Sequence, residues 1–309
     1  MGKDKKSGKT DLTPVILMGG LFVLIHVLAL LVTGTFEEAG MQAFDNPDDP
    51  FNIALIIVIM LVFTLVILLI AKFWKKQLIQ AIILGAIGYT SGYVFYPLFD
   101  LIFTSIISVI LAAVLAIILV IVLYKYPEWY VIDICGIIVG TGAIAIFGIS
   151  LGILLVIFLL IGLAIYDAIS VYKTKHMIDL ADTVMDLKLP VLLVIPKIRK
   201  YSLIKETRRL KEQIEKDEER DAFFMGLGDI VMPGILVAAV YKNIPQPDGL
   251  LMAASVIIGT LIGFSILMIF VMRGKPQAGL PLLCGGAIMG YLASSLILFG
   301  KLIGLSLQL

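Results

Sequence analysis

Apolar runs about twenty residues long, parted by short polar stretches, recur from one end of the chain to the other. As a helix, a run of that length crosses roughly 30 Å of hydrocarbon. The pattern predicts nine spans, at 12–33, 52–71, 78–96, 100–124, 131–148, 151–172, 222–241, 250–272 and 279–300. The divisions at Tyr96-Pro97 and around Ile149-Ser150 rest on very short connections. The expected fold is therefore an all-α polytopic membrane protein. Its spans one to six fall in 1–172, a hydrophilic loop occupies 173–221, and spans seven to nine fall in 222–309, together forming one membrane domain.

Composition supports that class. Of 309 residues, 60% are hydrophobic and 15% charged, with a mean hydropathy of +1.07. A water-facing surface cannot be built from so few polar groups, so the outer face must meet lipid. The run from Leu12 to Val32 is too long for a signal-peptide core and is read as a retained first helix. Cys135 and Cys284 lie in apolar runs and form no disulfide framework. Gly136/Gly140, Gly259/Gly263 and Gly286/Gly290 are small-xxx-small pairs that permit close helix contact.

The net charge of +1 is uninformative, but its placement is not. All but two of the 24 Lys and Arg residues fall in connections on one side of the expected topology. The exceptions are Lys242 and Lys301. The first connection on the opposite side carries only acids (Glu37, Glu38, Asp45, Asp48, Asp49). Lys and Arg mark the cytoplasmic side, so the N-terminus is expected in the cytoplasm and the C-terminus outside.

The long loop has two parts. Tyr201–Arg220 is dense in helix formers and spaced opposite charges such as Glu206/Arg209 and Glu212/Lys216. It suits a solvated helix or a linker equally. Upstream, Leu189–Pro196 is a short β-branched run bounded by prolines. Too short to cross a membrane, it suits either a loop packed on the bundle or a strand available for pairing.

Charges within the hydrocarbon are costly and seldom kept without a role. Asp100 and Asp133 lie near expected helix ends, within reach of water or headgroups. Asp167, in Tyr166-Asp167, and Asp229, in Gly226-Leu227-Gly228-Asp229, sit deeper. Counted from the cytoplasmic ends of antiparallel spans six and seven, their depths are roughly 8 and 10 Å at about 1.5 Å per residue. Two carboxyls facing each other in a low dielectric share one proton and titrate as a unit. Such a pair offers a base for water and an acid for a peptide carbonyl. Gly226 and Gly228 clear side chains from beside Asp229, allowing close backbone approach. Intramembrane aspartate pairs also serve ion sites and proton relays.

With these residues in place, the chain resembles the presenilins and signal peptide peptidases. Tyr166-Asp167 and Gly226-Leu227-Gly228-Asp229 are similar to that family's YD and GxGD motifs. Pro281-Leu282-Leu283 matches its Pro-Ala-Leu motif at the ninth helix, departing at the middle position, and Gln277 resembles a residue preceding the motif in some members. The resemblance covers nearly the whole chain and suggests the archaeal homologues of presenilin, which implies the cell membrane of a prokaryote. It implies an intramembrane aspartyl protease with Asp167 and Asp229 as catalytic pair. Tyr166, Gly226, Leu227, Gly228, Pro281, Leu282 and Leu283 would support the site or hold substrate. The expected partners are transmembrane-helix substrates and the bilayer, with no nucleic acid, cofactor or metal; nothing in the sequence indicates accessory subunits or a homo-oligomer. A presenilin-like orientation implies substrate helices with an outside N-terminus. By the same analogy, Leu189–Ile195 would pair with an unwound substrate segment.

Other chemistries fare less well. Gly148-Ile149-Ser150-Leu151-Gly152 fits G-x-S-x-G, but the pattern needs a histidine within reach of the serine. Of the two histidines, His26 falls mid-way along the first span, as a bundle residue, and His176 falls across the membrane from Ser150. Metal-protease spacing is absent. The strongest alternative is an ion or proton-coupled transporter or channel using the aspartate pair. Against it stand the lack of a repeated hydrophobic module and the position of both aspartates toward one face. A catalytically silent scaffold is the remaining option.

Overall fold

The computed structural model describes residues 12–73, 76–174, 192–197, 201–202, 222–272 and 277–305. Among them are nine α-helices: α1 (Thr13–Glu38), α2 (Phe51–Phe73), α3 (Lys76–Asp100), α4 (Ser105–Lys125), α5 (Trp129–Ser150), α6 (Ile153–Ile169), α7 (Leu227–Asn243), α8 (Asp248–Met272) and α9 (Leu280–Phe299). A π-turn, Ser170–Thr174, extends α6, and two short strands, β1 (Leu192–Pro196) and β2 (Ala222–Gly226), precede α7. The basic N-terminal residues and the Tyr201–Arg220 segment, apart from Tyr201 and Ser202, lie outside the described residues.

Seven of these helices, α6 counted with its π-turn as far as Tyr172, are long and apolar enough to cross a bilayer by length and composition. The seventh in chain order, α7, has 17 residues and a different position. Ile230, Val231, Ile235 and the run Leu236–Val240 are all buried, because α7 packs on α1, α5, α6, α8 and α9. It is the axis of the bundle. By contrast, among the described side chains of α2 only Asn52 and Ile56 are buried, and most of the helix is left to lipid. The buried stripe of α1 (Met18, Phe22, Ile25, His26, Ala29, Val32, Thr33, Phe36) recurs every three or four residues, the spacing of one helical face.

Glycine brings the helices together as its spacing predicted. A Cβ at Gly259 would collide with the Gly286 carbonyl, and one at Gly286 with the Gly259 carbonyl. At Gly290 it would meet Ser255, and at Gly148 it would meet Ala238. Helices α8 and α9 thus touch backbone to backbone, where van der Waals packing rather than hydrophobic force holds helices in lipid. Gly259→Val should force them apart and cost on the order of 1–3 kcal/mol or more. A lowered Tm in detergent, with Gly20→Val as a control where nothing lies within 4 Å, measures it.

Three boundaries differ from expectation. Helix α1 runs on to Glu38, past Thr33-Gly34-Thr35, because Thr33 returns its hydroxyl to the Ala29 carbonyl (2.7 Å) and Phe36 is fully buried. Pro97 does not end the third helix; it lies in the last turn of α3, which stops at Asp100. Most consequentially, Ala222–Gly226 is not the start of the seventh helix. It is β2, antiparallel to β1, with Leu193 opposite Met225, Val194 opposite Phe224 and Ile195 opposite Phe223. The described part of the β-branched run, Leu192–Pro196, therefore forms a strand, and 189–191 lie outside the described residues.

The opposite face of the bundle is closed by the α1–α2 connection. Ser150 is fully buried, donates its hydroxyl to Ile146 O and accepts the Ala43 N–H (2.7 Å). The Gly152 N–H bonds Pro47 O (2.8 Å). The serine of the G-x-S-x-G pattern ties a loop to a helix end. An ion pair between Lys242 and Glu37 joins the ends of α7 and α1.

Candidate active site

Asp167 lies in the last turn of α6 and is buried, at 3% exposure. Its Oδ2 accepts the Leu280 N–H at 3.1 Å, with the Gly279 N–H close by. These donors open α9. Helix N-termini leave N–H groups without partners inside the helix and attract negative charge. Pro281, in the first turn, has no N–H to offer, so Leu280, the residue before it, supplies the bond. Asp167 in effect caps α9 from a different helix.

Asp229 is the third residue of α7 and half-buried. Its carboxyl rests between two glycines. A Cβ at Gly279 would lie 3.0 Å from Oδ2 and 3.3 Å from Cγ, and one at Gly226 would lie 3.2 Å from Oδ2. The backbone at Gly279-Leu280 is therefore shared: one aspartate is bonded to it and the other packs on it. The carboxyls lie within electrostatic range of each other. Cys284, one turn into α9, is buried within range of both. It and Cys135 are free thiols.

The remaining expected residues divide. Gly226 touches Asp229, as above. Gly228 is exposed with nothing within 4 Å of a Cβ placed there, so it faces open space beside the carboxyl. Leu227 is buried against Gly140 of α5. Leu283 is fully buried, while Pro281 and Leu282 are half-buried. A Cβ at Gly263 of α8 would strike the Leu282 carbonyl, so the start of α9 is seated on α8 by backbone. Leucine at the middle motif position fits there because the contact is made by main chain. Tyr166, at 68% exposure, points outward. Gln277 accepts the Tyr172 hydroxyl at 2.8 Å, linking the π-turn after α6 to the segment before α9.

Two residues were not singled out by sequence. Gly279 is the contact point of both aspartates; its only sequence signal is its place two residues before Pro281. Asp133 was expected near water or headgroups because it lies four residues into α5. It is instead buried, at 6% exposure, because β1 lies over it, and it accepts the Val194 N–H at 2.8 Å. His26 is a bundle residue as expected. Fully buried, its Nε2 bonds Ile230 O at 3.1 Å, and its ring stacks edge-on to Phe22 at 4.5 Å.

A family model described as signal-peptide peptidase, presenilin aspartyl protease matches residues 19–300. The chain belongs to this family. Two solved structures agree, each of a presenilin family intramembrane aspartate protease, one in space group C222 and one in P2. The first is 32% identical with a TM-score of 0.69, covering 92% of this chain and 99% of its own. The second is 33% identical with a TM-score of 0.67, covering 92% and 98%. No curated protein sequence matches. As a presenilin-family member the chain is an integral, multi-pass membrane protein and an aspartic-type intramembrane endopeptidase. Ion transport, the alternative open from sequence, finds no support in these matches.

Proposed function

We propose that this presenilin-family protease hydrolyses peptide bonds within transmembrane helices by activating water between Asp167 and Asp229. The observation that carries this is the convergence of both carboxyls on the Gly279-Leu280 backbone. One carboxylate takes a proton from water as it attacks, and the other, protonated, donates to the peptide carbonyl oxygen. The roles exchange as the tetrahedral intermediate collapses and the amine leaves with a proton, so no covalent intermediate forms. The open space over Gly228 suits a substrate backbone lying against the pair.

A helical peptide bond is shielded, so the substrate must unwind at the scissile bond. The sheet before α7 suits the unwound segment, though not in the manner first expected. Strand β1 is already paired with β2, and alternation along an antiparallel ladder turns successive residues toward and away from the partner. Since Val194 gives its N–H to Asp133, its opposite number Phe224 turns its own N–H and C=O to the outer edge of β2. Substrate would add there, by β-augmentation. The charge bias supports a cytoplasmic position for this face and substrates with an outside N-terminus.

The test is mass spectrometry of products from transmembrane peptides incubated with the protein in liposomes. Wild type should cut within the hydrophobic segment, and Asp229→Asn should not. Ion flux persisting under an aspartyl transition-state analogue, with no peptide cut, would defeat the proposal.

A further inference from the structure

Helix α5 presents one continuous face to the segment that delivers Asp229. Asp133, Gly136 and Gly140 follow at three and four residues, on one side of the helix. Asp133 Oδ1 accepts the Val194 N–H of β1 at 2.8 Å. At Gly136 a Cβ would lie 2.7 Å from Leu193 Cδ2, so the missing side chain seats Leu193. At Gly140 it would lie 3.2 Å from Leu227 Cδ1, and Leu227 is the residue between β2 and Asp229. At the cytoplasmic end of the same helix, Glu128 Oε1 accepts the Ser202 hydroxyl at 2.7 Å.

Of these contacts only Asp133 grips the sheet by its backbone. β1 and β2 form a two-stranded ladder, a unit marginal by itself and dependent on what it packs against. An outer-edge N–H left unpaired in this buried setting would be costly, and the Asp133 carboxyl oxygen meets it with a hydrogen bond at 2.8 Å. β2 ends at Gly226, where a Cβ would lie 3.2 Å from Asp229 Oδ2. The chain of contact thus runs from Asp133 through Val194 and the β1–β2 ladder to Gly226 and Asp229.

We propose that Asp133 is a positioning residue for the protease: by holding Val194 it fixes the β1–β2 sheet, and through it the placement of Asp229 and of the strand edge open to substrate. This rests on the assignment of Asp229 as a catalytic carboxylate. Asp133 itself touches neither carboxyl and takes no part in proton transfer. What it supplies is a hydrogen-bond acceptor at one point, which an asparagine oxygen can also supply.

Cleavage of a transmembrane peptide in liposomes tests this, with kcat, KM and product masses measured for wild type, Asp133→Ala, Asp133→Asn, Val194→Pro and the double variant Asp133→Ala/Val194→Pro. Val194→Pro removes the same bond from the strand side, and the N–H it deletes is not used in pairing with β2. Asp133→Ala and Val194→Pro should each lower kcat about ten-fold or more, as a misplaced catalytic group does, and spread the cleavage positions. Asp133→Asn should stay within about three-fold of wild type. The double variant should be no worse than either single one. Amide hydrogen exchange across 192–196 should rise in the two bond-breaking variants and stay at the wild-type level in Asp133→Asn. Wild-type kinetics in Asp133→Ala, failure of Asp133→Asn to restore them, or additive losses in the double variant would each overturn the proposal. The exchange readout and the Asp229→Asn control separate this from the catalytic assignment. Should Asp229→Asn still cut, that assignment fails, while the exchange data still decide whether Asp133 holds the strand. A folding defect confined to one single variant leaves the other to report on the bond.

Discussion

Asp167→Asn and Asp229→Asn should each reduce cleavage of a transmembrane peptide by about 10³-fold or more, and the double variant should be no slower than either single one. General acid and general base each contribute roughly 10²–10⁴-fold, and in the mechanism proposed above one proton serves both roles, so losing either carboxyl would disable both. Groups that act as a unit show this saturation. Single-turnover assays with wild type, both single variants and the double variant measure it. Additive losses would mean that the two carboxyls work separately. Asparagine is the correct substitution because its oxygen can still accept the Leu280 N–H that Asp167 holds. Alanine at 167 would also uncap α9, at about 1 kcal/mol, confounding chemistry with packing.

Gly279 carries the second large effect. Because a Cβ there would lie 3.0 Å from Asp229 Oδ2 and 3.3 Å from Cγ, Gly279→Ala should push the carboxyl aside by a few tenths of an ångström. Gly279→Val should displace it further. Misplacement approaching 1 Å costs about 10²-fold in rate. The expected series is a loss of about ten-fold for alanine and about 10²-fold or more for valine, in kcat rather than KM. Backbone strain is not involved, since Gly279 has φ −77° and ψ −49°, values open to any residue. The Tm should therefore move little, and differential scanning fluorimetry in detergent distinguishes this from unfolding. A valine variant with wild-type kcat would show that Asp229 has room to yield without consequence.

The helices were legible because hydrocarbon thickness fixes span length, and the two aspartates because acids deep in such spans stand out. The glycine pairs were legible as close contacts for a similar reason: few other residues let backbones meet. What the residues concealed has a common cause, which is that strand and helix boundaries depend on neighbours. Ala222-Phe223-Phe224-Met225 is apolar and continuous with α7, so it reads as helix until β1 is present to pair with it. Pro97 looks like a stop signal, yet the last turn of a helix tolerates it. Asp133 reads as solvated from its depth along one helix, whereas its burial comes from a strand 61 residues away in sequence. Gly279 carries no pattern beyond its place before Pro281; its meaning lies in two carboxyls arriving from α6 and α7.

The cap that Asp167 places on α9 has a consequence for turnover. The oxygen that holds Leu280 in place belongs to a group that, in the mechanism proposed above, gains and loses a proton once per cycle. A protonated carboxyl accepts less strongly than a carboxylate, so the grip on the Pro281-Leu282-Leu283 shoulder slackens and tightens in step with the chemistry. Product departure and the next docking event would then be timed by the reaction itself, without a separate clock.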